Sequence, residues 1–164
     1  MSNELFQDVI RKRRSVRKFK PGRSIDRDSL ARIVDCGRWA PSGANVQCWD
    51  FIVVDDPAMR EAVTEVFRQQ AQRLVDHAKG FPAVKKTYLA NTVAIIIVLG
   101  DPRWKVCFPQ PTTSGWEEEY RDNNEAIFLC SLGAAVQNIQ LGVAAEGLTS
   151  AWLSGGGEDT TNHD

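Results

Sequence analysis

The order of apolar and polar residues predicts three helices in the first half of the chain. Apolar residues recur every three or four positions in residues 4–13 and again in residues 26–39, as on one face of an amphipathic helix. Asp26 is a suitable capping residue for the second of these helices. The pair Asp56-Pro57 combines a capping acid with a proline at the first helical position, and it predicts a third helix to about residue 78.

Three shorter segments predict strands. Residues 49–54 are short and rich in β-forming side chains. Residues 92–99 are apolar on both faces, as expected in the middle of a sheet that is covered on both sides. Residues 149–153 follow the last predicted helix and are suited to a final strand.

The last predicted helix is the most apolar one. Residues 117–146 are apolar around much of the helical circumference, and Gly147 is placed to end the helix at its C′ position. Such a helix is buried in a core or against another subunit. Helices combined with central apolar strands indicate an α+β or α/β fold in three layers. We expect one domain over residues 1–157 and an acidic polar tail over residues 158–164.

Composition and charge exclude several classes of protein. The chain has 164 residues, 43% hydrophobic and 25% charged, which is typical of one globular domain and not of a disordered chain. Its formal net charge of −1 gives no general attraction to nucleic acid or to an anionic membrane. The longest apolar run, residues 93–99, is far shorter than the roughly 20 residues of a membrane-spanning helix. We therefore expect neither a nucleic-acid nor a membrane partner.

The cysteines and histidines argue against a metal site. The four cysteines have no C-x-x-C spacing, and only two histidines accompany them. Free thiols without a signal peptide are typical of the reducing cytosol, so the expected location is cytoplasmic.

Residues 11–23 form a basic segment. They contain eight of the 20 lysines and arginines and none of the 21 acidic residues. Within it, Arg13, Arg14, Ser15 and Arg17 offer guanidinium groups and a hydroxyl to a phosphate. A general polyanion patch is the alternative, although no aromatic residue for base stacking occurs before Phe19.

Two further segments have the composition of ligand-binding loops. Residues 41–49 are mostly small, and Asn45 and Gln47 each supply an amide donor and acceptor suited to a flat ligand rich in carbonyls and ring nitrogens. Residues 147–156 end in serine and glycines, which expose backbone amides. Taken alone, the first segment is also consistent with an ordinary loop and the second with a flexible terminus.

The three segments in this order resemble the nitroreductase family of FMN-dependent oxidoreductases. The resemblance is carried by Arg-Arg-Ser-Val-Arg after an N-terminal amphipathic helix, then by Ala-Pro-Ser-Gly-Ala-Asn-Val-Gln-x-Trp-x-Phe before a strand. Gln137-Asn138 in the long helix and the ending Ala-Trp-Leu-Ser-Gly-Gly extend it to residue 156. It implies an α+β fold with a mostly antiparallel central sheet between helical layers.

The resemblance also implies a cofactor, an assembly and a reaction. By this resemblance, FMN is expected to lie at the interface of a homodimer, where NAD(P)H reduces the flavin before a small oxidised acceptor takes the electrons. No side chain is implied as a catalytic acid or base. The matching FMN-binding positions are Arg13, Arg14, Ser15 and Arg17 at the phosphate and ribityl end, Pro41, Ser42, Gly43, Asn45 and Gln47 in the loop from the other subunit, and Leu153, Ser154 and Gly155 beside the reactive edge of the ring.

Two departures from the family pattern leave a second function open. Cys48 stands where the family usually has proline, and family members continue beyond the glycine cluster with further elements that pack on the partner. The alternative is therefore a shortened, non-catalytic protein that binds flavin or serves as an interaction partner. For the enzyme, the acceptor classes are nitroaromatics, quinones, enones and free flavins, with reductive dehalogenation and oxygen-dependent flavin breakdown as further chemistries.

Overall fold

A computed structural model describes residues 3–77, 87–101 and 115–153. The described residues divide into two compact units: unit one contains residues 3–14, 26–52, 97–101 and 115–150, and unit two contains residues 15–25, 53–77, 87–96 and 151–153. The helices and strands are α1 (Asn3–Lys12), α2 (Arg27–Arg38), β1 (Trp49–Val54), α3 (Pro57–His77), β2 (Ile95–Gly100) and α4 (Glu117–Ala145), with 3-10 turns at Gly43–Asn45 and Thr87–Asn91. The α+β class is confirmed.

The predicted helix starts are confirmed by their capping bonds. Asp26 precedes α2, and its carboxylate accepts hydrogen bonds from the backbone N–H and the hydroxyl of Ser29, both at 2.8 Å. Asp56 precedes α3 and accepts from the backbone N–H of Met59 at 2.9 Å. Each cap satisfies a backbone donor that the first turn of a helix leaves without a partner.

The predicted end of α4 is also confirmed. Gly147 has φ 71°, a left-handed conformation that favours glycine. Its N–H donates to the carbonyl of Ala144, and the N–H of Leu148 donates to the carbonyl of Val143. This pair of bonds is the Schellman arrangement, which satisfies the last carbonyls of the helix.

The two strands pair in one sheet. The pairing is antiparallel, because Asp101 just after β2 donates to the carbonyl of Cys48 just before β1, at 3.0 Å. Two strand predictions were wrong in part. β2 begins at Ile95 rather than 92, and its residues are half-buried or exposed instead of covered on both faces. Residues 149–153 form no strand beyond an isolated bridge at Ser150.

The core of unit one forms where α4 meets the loop after α2 and the start of β1. Ala40, Trp49 and Ala135 are buried together, and four half-buried apolar residues pack against them: Phe51, Val98, Leu132 and Ala134. Helices α2 and α4 approach closely, with Gly37 facing Ile139. The absence of a side chain at Gly37 allows this approach.

Helix α4 alone, among the described helices, is long and apolar enough to cross a membrane. The most apolar part of the segment Tyr120–Ala145 has mean hydropathy 1.5, and 33% of it is buried. The sequence prediction considered only uninterrupted apolar runs and missed this property. The core helix of a soluble protein can have the same length and hydropathy, and α4 supplies Ala135 and Ile139 to the buried residues of unit one.

In unit two, α3 packs against the 3-10 turn Thr87–Asn91. A side-chain N–H of Arg60 donates to the carbonyl of Thr92, just after that turn. Phe19, in the segment that follows the basic arginines, contacts the buried ring of Tyr88 with centroids 6.1 Å apart. This contact connects the segment Ser15–Ile25 to the rest of unit two.

Candidate functional site

The loop over residues 41–47, called here the amide loop, has an unusual backbone. Ala44, Asn45 and Gln47 all have positive φ, at 49°, 56° and 50°. Asparagine tolerates this left-handed region, whereas alanine and glutamine adopt it at a cost of about 1–2 kcal/mol each. Such strain persists where neighbouring contacts hold it, and it concentrates at ligand-binding sites.

Hydrogen bonds hold the amide loop in this conformation. The Ser42 hydroxyl accepts from the backbone N–H of Gln47 at 3.0 Å, and the Ser42 carbonyl accepts from the N–H of Asn45 at 3.0 Å. On the helix side, the backbone N–H of Gly43 donates to the Ser131 hydroxyl at 3.1 Å. Because α4 carries Ser131, the loop is anchored to the rigid core of unit one.

Ser131 is a residue that the sequence analysis did not single out. Its side chain is buried, and its hydroxyl donates to the carbonyl of Ile127 at 2.7 Å while it accepts from Gly43. A serine amid the apolar residues of α4 was the available signal, but the sequence alone did not indicate its partner.

The two amides predicted to bind a flat ligand lie side by side at the surface. Gln47 donates through Nε2 to Oδ1 of Asn45 at 3.0 Å, and both residues are exposed. This bond orients both side chains and leaves the Asn45 Nδ2 donors and the Gln47 Oε1 acceptor without a partner in the described part of the chain. One donor group and one acceptor group are thus held at the surface of the loop.

The basic segment differs from the other cations of the chain. Each described arginine outside residues 11–23 has a polar or electrostatic partner; these are Arg27, Arg32, Arg38, Arg60, Arg68, Arg73 and Arg121. Within the segment, Lys12 pairs with Asp8 at 2.6 Å. The guanidinium groups of Arg13, Arg14 and Arg17 have no partner among the described residues, so their charges are available to an anion.

The predicted site residues fall in both units. Arg13, half-buried, and Arg14, exposed, follow α1 in unit one together with the amide loop, where Pro41 is exposed and Ser42 and Gly43 are half-buried. Ser15, Arg17 and the half-buried Leu153 belong to unit two. Ser154 and Gly155 lie outside the described residues. The predicted loop residues therefore lie together in unit one. The predicted phosphate ligands are divided, with Arg13 and Arg14 in unit one and Ser15 and Arg17 in unit two.

Known proteins similar to this chain include enzymes whose names indicate different substrates. The CLA biosynthesis enone reductase of Lactiplantibacillus plantarum is 30% identical over 122 residues, which cover 74% of this chain and 48% of that enzyme. Iodotyrosine deiodinase 1 of Mus musculus is 31% identical over 72 residues, 44% of this chain and 25% of that protein. The chain therefore spans half or less of the length of these curated relatives.

Solved structures share the fold over most of the chain. A protein of Desulfovibrio desulfuricans crystallised in complex with FMN is 25% identical and has a TM-score of 0.64, covering 95% of this chain and 71% of that one. The family model described as Nitroreductase family matches residues 10–161. That match includes the basic segment, the amide loop and α4. The chain therefore belongs to the nitroreductase family.

Proposed function

We propose that the chain is an FMN-dependent oxidoreductase that passes electrons from NAD(P)H to a small oxidised acceptor. The observation that carries the proposal is that the guanidinium groups of Arg13, Arg14 and Arg17 have no partner among the described residues, whereas every described arginine outside residues 11–23 has one. Three uncompensated guanidiniums in five positions suit a phosphate, which accepts bidentate charge-assisted bonds. The FMN-bound relative supports FMN as the source of that phosphate.

In this proposal the chain binds and orients the cofactor. Arg13, Arg14 and Arg17 bind the phosphate, and the Ser15 hydroxyl adds a neutral donor. Asn45 and Gln47 offer the free amide groups of the loop to the flavin held by a partner subunit. Leu153, Ser154 and Gly155 place backbone beside the reactive edge of the ring. The bound flavin supplies the hydride chemistry, so no side chain is assigned as a catalytic acid or base.

Exposed apolar side chains of unit one support a homodimer. Leu5, Phe6 and Ile10 on α1 are 51%, 44% and 40% exposed, and Leu129 on α4 is 57% exposed. The sequence pattern of α4 predicts burial in a core or against another subunit, and these side chains are not buried within the single chain. A second copy of the chain would remove them from water. Sedimentation velocity of the FMN-loaded protein measures the expected dimer mass directly.

The acceptor is proposed only as a class. The relatives named above act, by their names, on an enone and on an iodotyrosine. Enones, quinones and nitroaromatics share an electron-poor π system that accepts two electrons, and dehalogenation uses the same reduced cofactor on a different bond. We propose a small electron-poor acceptor, with the non-catalytic flavin-binding protein as the alternative.

The test is cofactor binding followed by reduction. We expect purified protein to be yellow or to become so with added FMN, and Arg13→Ala and Arg17→Ala to weaken FMN binding while far-UV circular dichroism is unchanged. Arg68→Ala is the control, because Arg68 is an exposed arginine that pairs with Glu61 and Glu65 on its own helix. Equal FMN affinity in all three variants would refute the phosphate assignment.

Two further measurements separate the alternatives. Anaerobic addition of NADH and NADPH should bleach the flavin absorbance of an oxidoreductase, whereas a loaded protein that neither donor reduces is the non-catalytic alternative. A polyanion-binding protein would be retained on heparin in a way that FMN does not reverse, with affinity falling steeply as salt rises.

A further inference from the structure

Unit one contains an open pocket between the C-terminal end of α2 and the start of β1, with a volume of about 490 Å³. Its apolar lining consists of Val34, Trp39, Trp49 and Phe51. The rings of Trp49 and Phe51 are stacked, with their centroids 6.4 Å apart. A pocket with this lining is suited to receive apolar side chains, because contact with aromatic rings removes a large apolar area from water.

Trp39 is the most exposed of these four residues. It is 79% exposed, and its indole Nε1 donates to Oδ2 of Asp35 at 3.2 Å, which holds the edge of the ring in place. So large an aromatic surface left in water is unfavourable in the single chain. An exposed indole whose orientation is already fixed is typical of a residue that anchors a protein partner, since tryptophan is enriched among the residues that dominate protein–protein binding.

The charges at the pocket favour a partner that brings a cation. The guanidinium of Arg38 is compensated, because its Nη1 lies 2.9 Å from Oδ1 of Asp35. Asp50, which also lines the pocket, is exposed and has no ion-pair partner in the described part of the chain. One carboxylate is therefore left uncompensated beside the aromatic lining.

Helix α1 of a second copy of the chain has the complementary surface. Phe6 and Ile10 lie about one helical turn apart on the same face of α1, and they are 44% and 40% exposed. Arg11 follows Ile10, is exposed, and has no polar partner among the described residues. Two apolar side chains followed by a free cation match an apolar pocket with a free carboxylate.

The flavin site proposed above brings these two surfaces close together. In that site Arg13 and Arg14 of one subunit bind the phosphate of FMN, and the amide loop of the other subunit binds the same cofactor molecule. The end of α1 in one subunit and the amide loop of its partner are therefore separated by no more than the length of one FMN. Ile10 precedes Arg13 by three positions, and Gln47 of the amide loop also lines the pocket.

We propose that this pocket, called here the Trp39 pocket, is the docking site for α1 of a second copy of this chain. Phe6 and Ile10 of one copy enter the pocket of the other beside Trp39, and Arg11 faces Asp50. The proposal rests on the homodimer proposed above and assigns its interface, while the amide of Gln47 stays with the flavin. Because a two-fold symmetric dimer repeats every contact, both pockets are occupied.

The first test is photocrosslinking of the full chain, with and without FMN, after incorporation of p-benzoylphenylalanine in place of Trp39. Isotope-labelled and unlabelled chains are mixed, so that mass spectrometry distinguishes a crosslink between two chains from one within a chain. We expect a mixed-label dimer crosslinked to a peptide of α1. The matched control carries the photoreactive residue in place of Trp116, which is 61% exposed and lies outside the pocket lining.

The second test is the dissociation constant of the dimer, from sedimentation velocity at several protein concentrations. Ile10→Ser should raise this constant about tenfold, because the dimer loses the apolar contact twice. Met59→Ser should leave it unchanged, since Met59 is 57% exposed on α3 and has no place in the proposed contact. Asp50→Lys should raise it about two- to fivefold, and adding Arg11→Glu should reverse this effect, as expected for an exposed ion pair.

The contact and the proposed function can fail separately. A monomeric protein, a crosslink from position 39 to anything other than α1 of a second chain, or an equal crosslink from position 116 would overturn the contact. A reducible flavoprotein dimer with any of these crosslinking results would keep the oxidoreductase and refute the Trp39 pocket as its interface. A dimer that binds no FMN but crosslinks from position 39 to α1 would keep the contact and refute the oxidoreductase.

Discussion

Arg32 and Glu146 join the middle of α2 to the C-terminal cap of α4 through two parallel hydrogen bonds. Nε of Arg32 donates to Oε1 of Glu146 at 2.7 Å, and Nη2 donates to Oε2 at 2.9 Å. A carboxylate at a helix C-terminus is opposed by the helix dipole, and the guanidinium offsets this repulsion. The same Nη2 donates to the Ser29 hydroxyl at 2.8 Å, which connects the pair to the Asp26 cap of α2.

This network predicts a pH dependence of stability. The hydrogen bond from Arg32 lowers the pKa of Glu146, and the backbone N–H of Ser29 lowers the pKa of Asp26. A lowered folded-state pKa stabilises the fold above the ordinary carboxyl pKa of about 4, and the contribution disappears as pH falls through the lower folded value.

We expect Glu146→Gln to flatten the acidic side of the stability–pH curve, measured by urea unfolding from pH 7 to 3. Glu125→Gln, at an exposed position on α4, is the matched control, and an equal change of the curve in both variants would contradict the assignment.

A second prediction concerns the contact between α2 and α4 at Gly142. A Cβ added there would lie 2.9 Å from Sγ and 3.3 Å from Cβ of Cys36. Burial raises the pKa of the Cys36 thiol, so the group packs as a neutral side chain. Gly142→Ala should therefore cost about 1–3 kcal/mol through overpacking, offset in part by the roughly 1 kcal/mol that alanine gains over glycine inside a helix.

The double-mutant cycle with Cys36→Ala tests whether this clash is the cause. Removing Sγ makes room for the new methyl group, so Gly142→Ala should cost less in the Cys36→Ala background than in the natural chain. Chemical denaturation of the four proteins gives the coupling energy. Additive costs would show that the destabilisation of Gly142→Ala arises elsewhere, for example at the backbone of Ile33 3.4 Å away.

The sequence predicted the local features of this fold, such as the ends of its helices, but it did not predict what covers its apolar surfaces. Asp26, Asp56 and Gly147 act through bonds to residues at most five positions away, so their patterns predicted the ends of α2, α3 and α4 correctly. The exposure of β2 was not predicted, because an apolar strand indicates a preference for burial and not what covers it.

The candidate site shows the same limit. The sequence pattern selected Asn45 and Gln47 by their amide chemistry, and the structure places them in contact. It could not select Ser131, whose role depends on a contact with Gly43, 88 positions away along the chain. Nor could it predict that Trp39, at the C-terminal cap of α2, is 79% exposed.

A third prediction tests the strain of the amide loop with two exposed alanines. Ala44 has φ 49° and ψ 21°, a left-handed conformation that glycine adopts without steric cost. Ala44→Gly should therefore leave stability unchanged or raise it by up to about 1 kcal/mol. Ala31, exposed within α2, is the matched control, and Ala31→Gly should lower stability by about 1 kcal/mol. A loss at Ala44 as large as that at Ala31 would contradict the left-handed conformation.

The last prediction separates anchoring of the amide loop from general stability. Ser131→Ala removes the acceptor of the Gly43 N–H, and loss of this net contribution should cost about 1 kcal/mol of stability. Thr64→Val is the control, because Thr64 is buried and its hydroxyl donates to the carbonyl of Arg60 within the same helix. If Ser131 positions Asn45 and Gln47, Ser131→Ala weakens FMN binding and speeds exchange of the Gly43 and Gln47 amide protons, whereas Thr64→Val changes only the unfolding midpoint.

The physical reason is the backbone strain at Ala44 and Gln47, which favours other conformations of the amide loop. Without the anchor, a smaller fraction of the protein holds the loop in the conformation that binds FMN, and the affinity for FMN falls by that fraction. Unaltered flavin affinity and amide exchange in Ser131→Ala would restrict Ser131 to a structural role in α4.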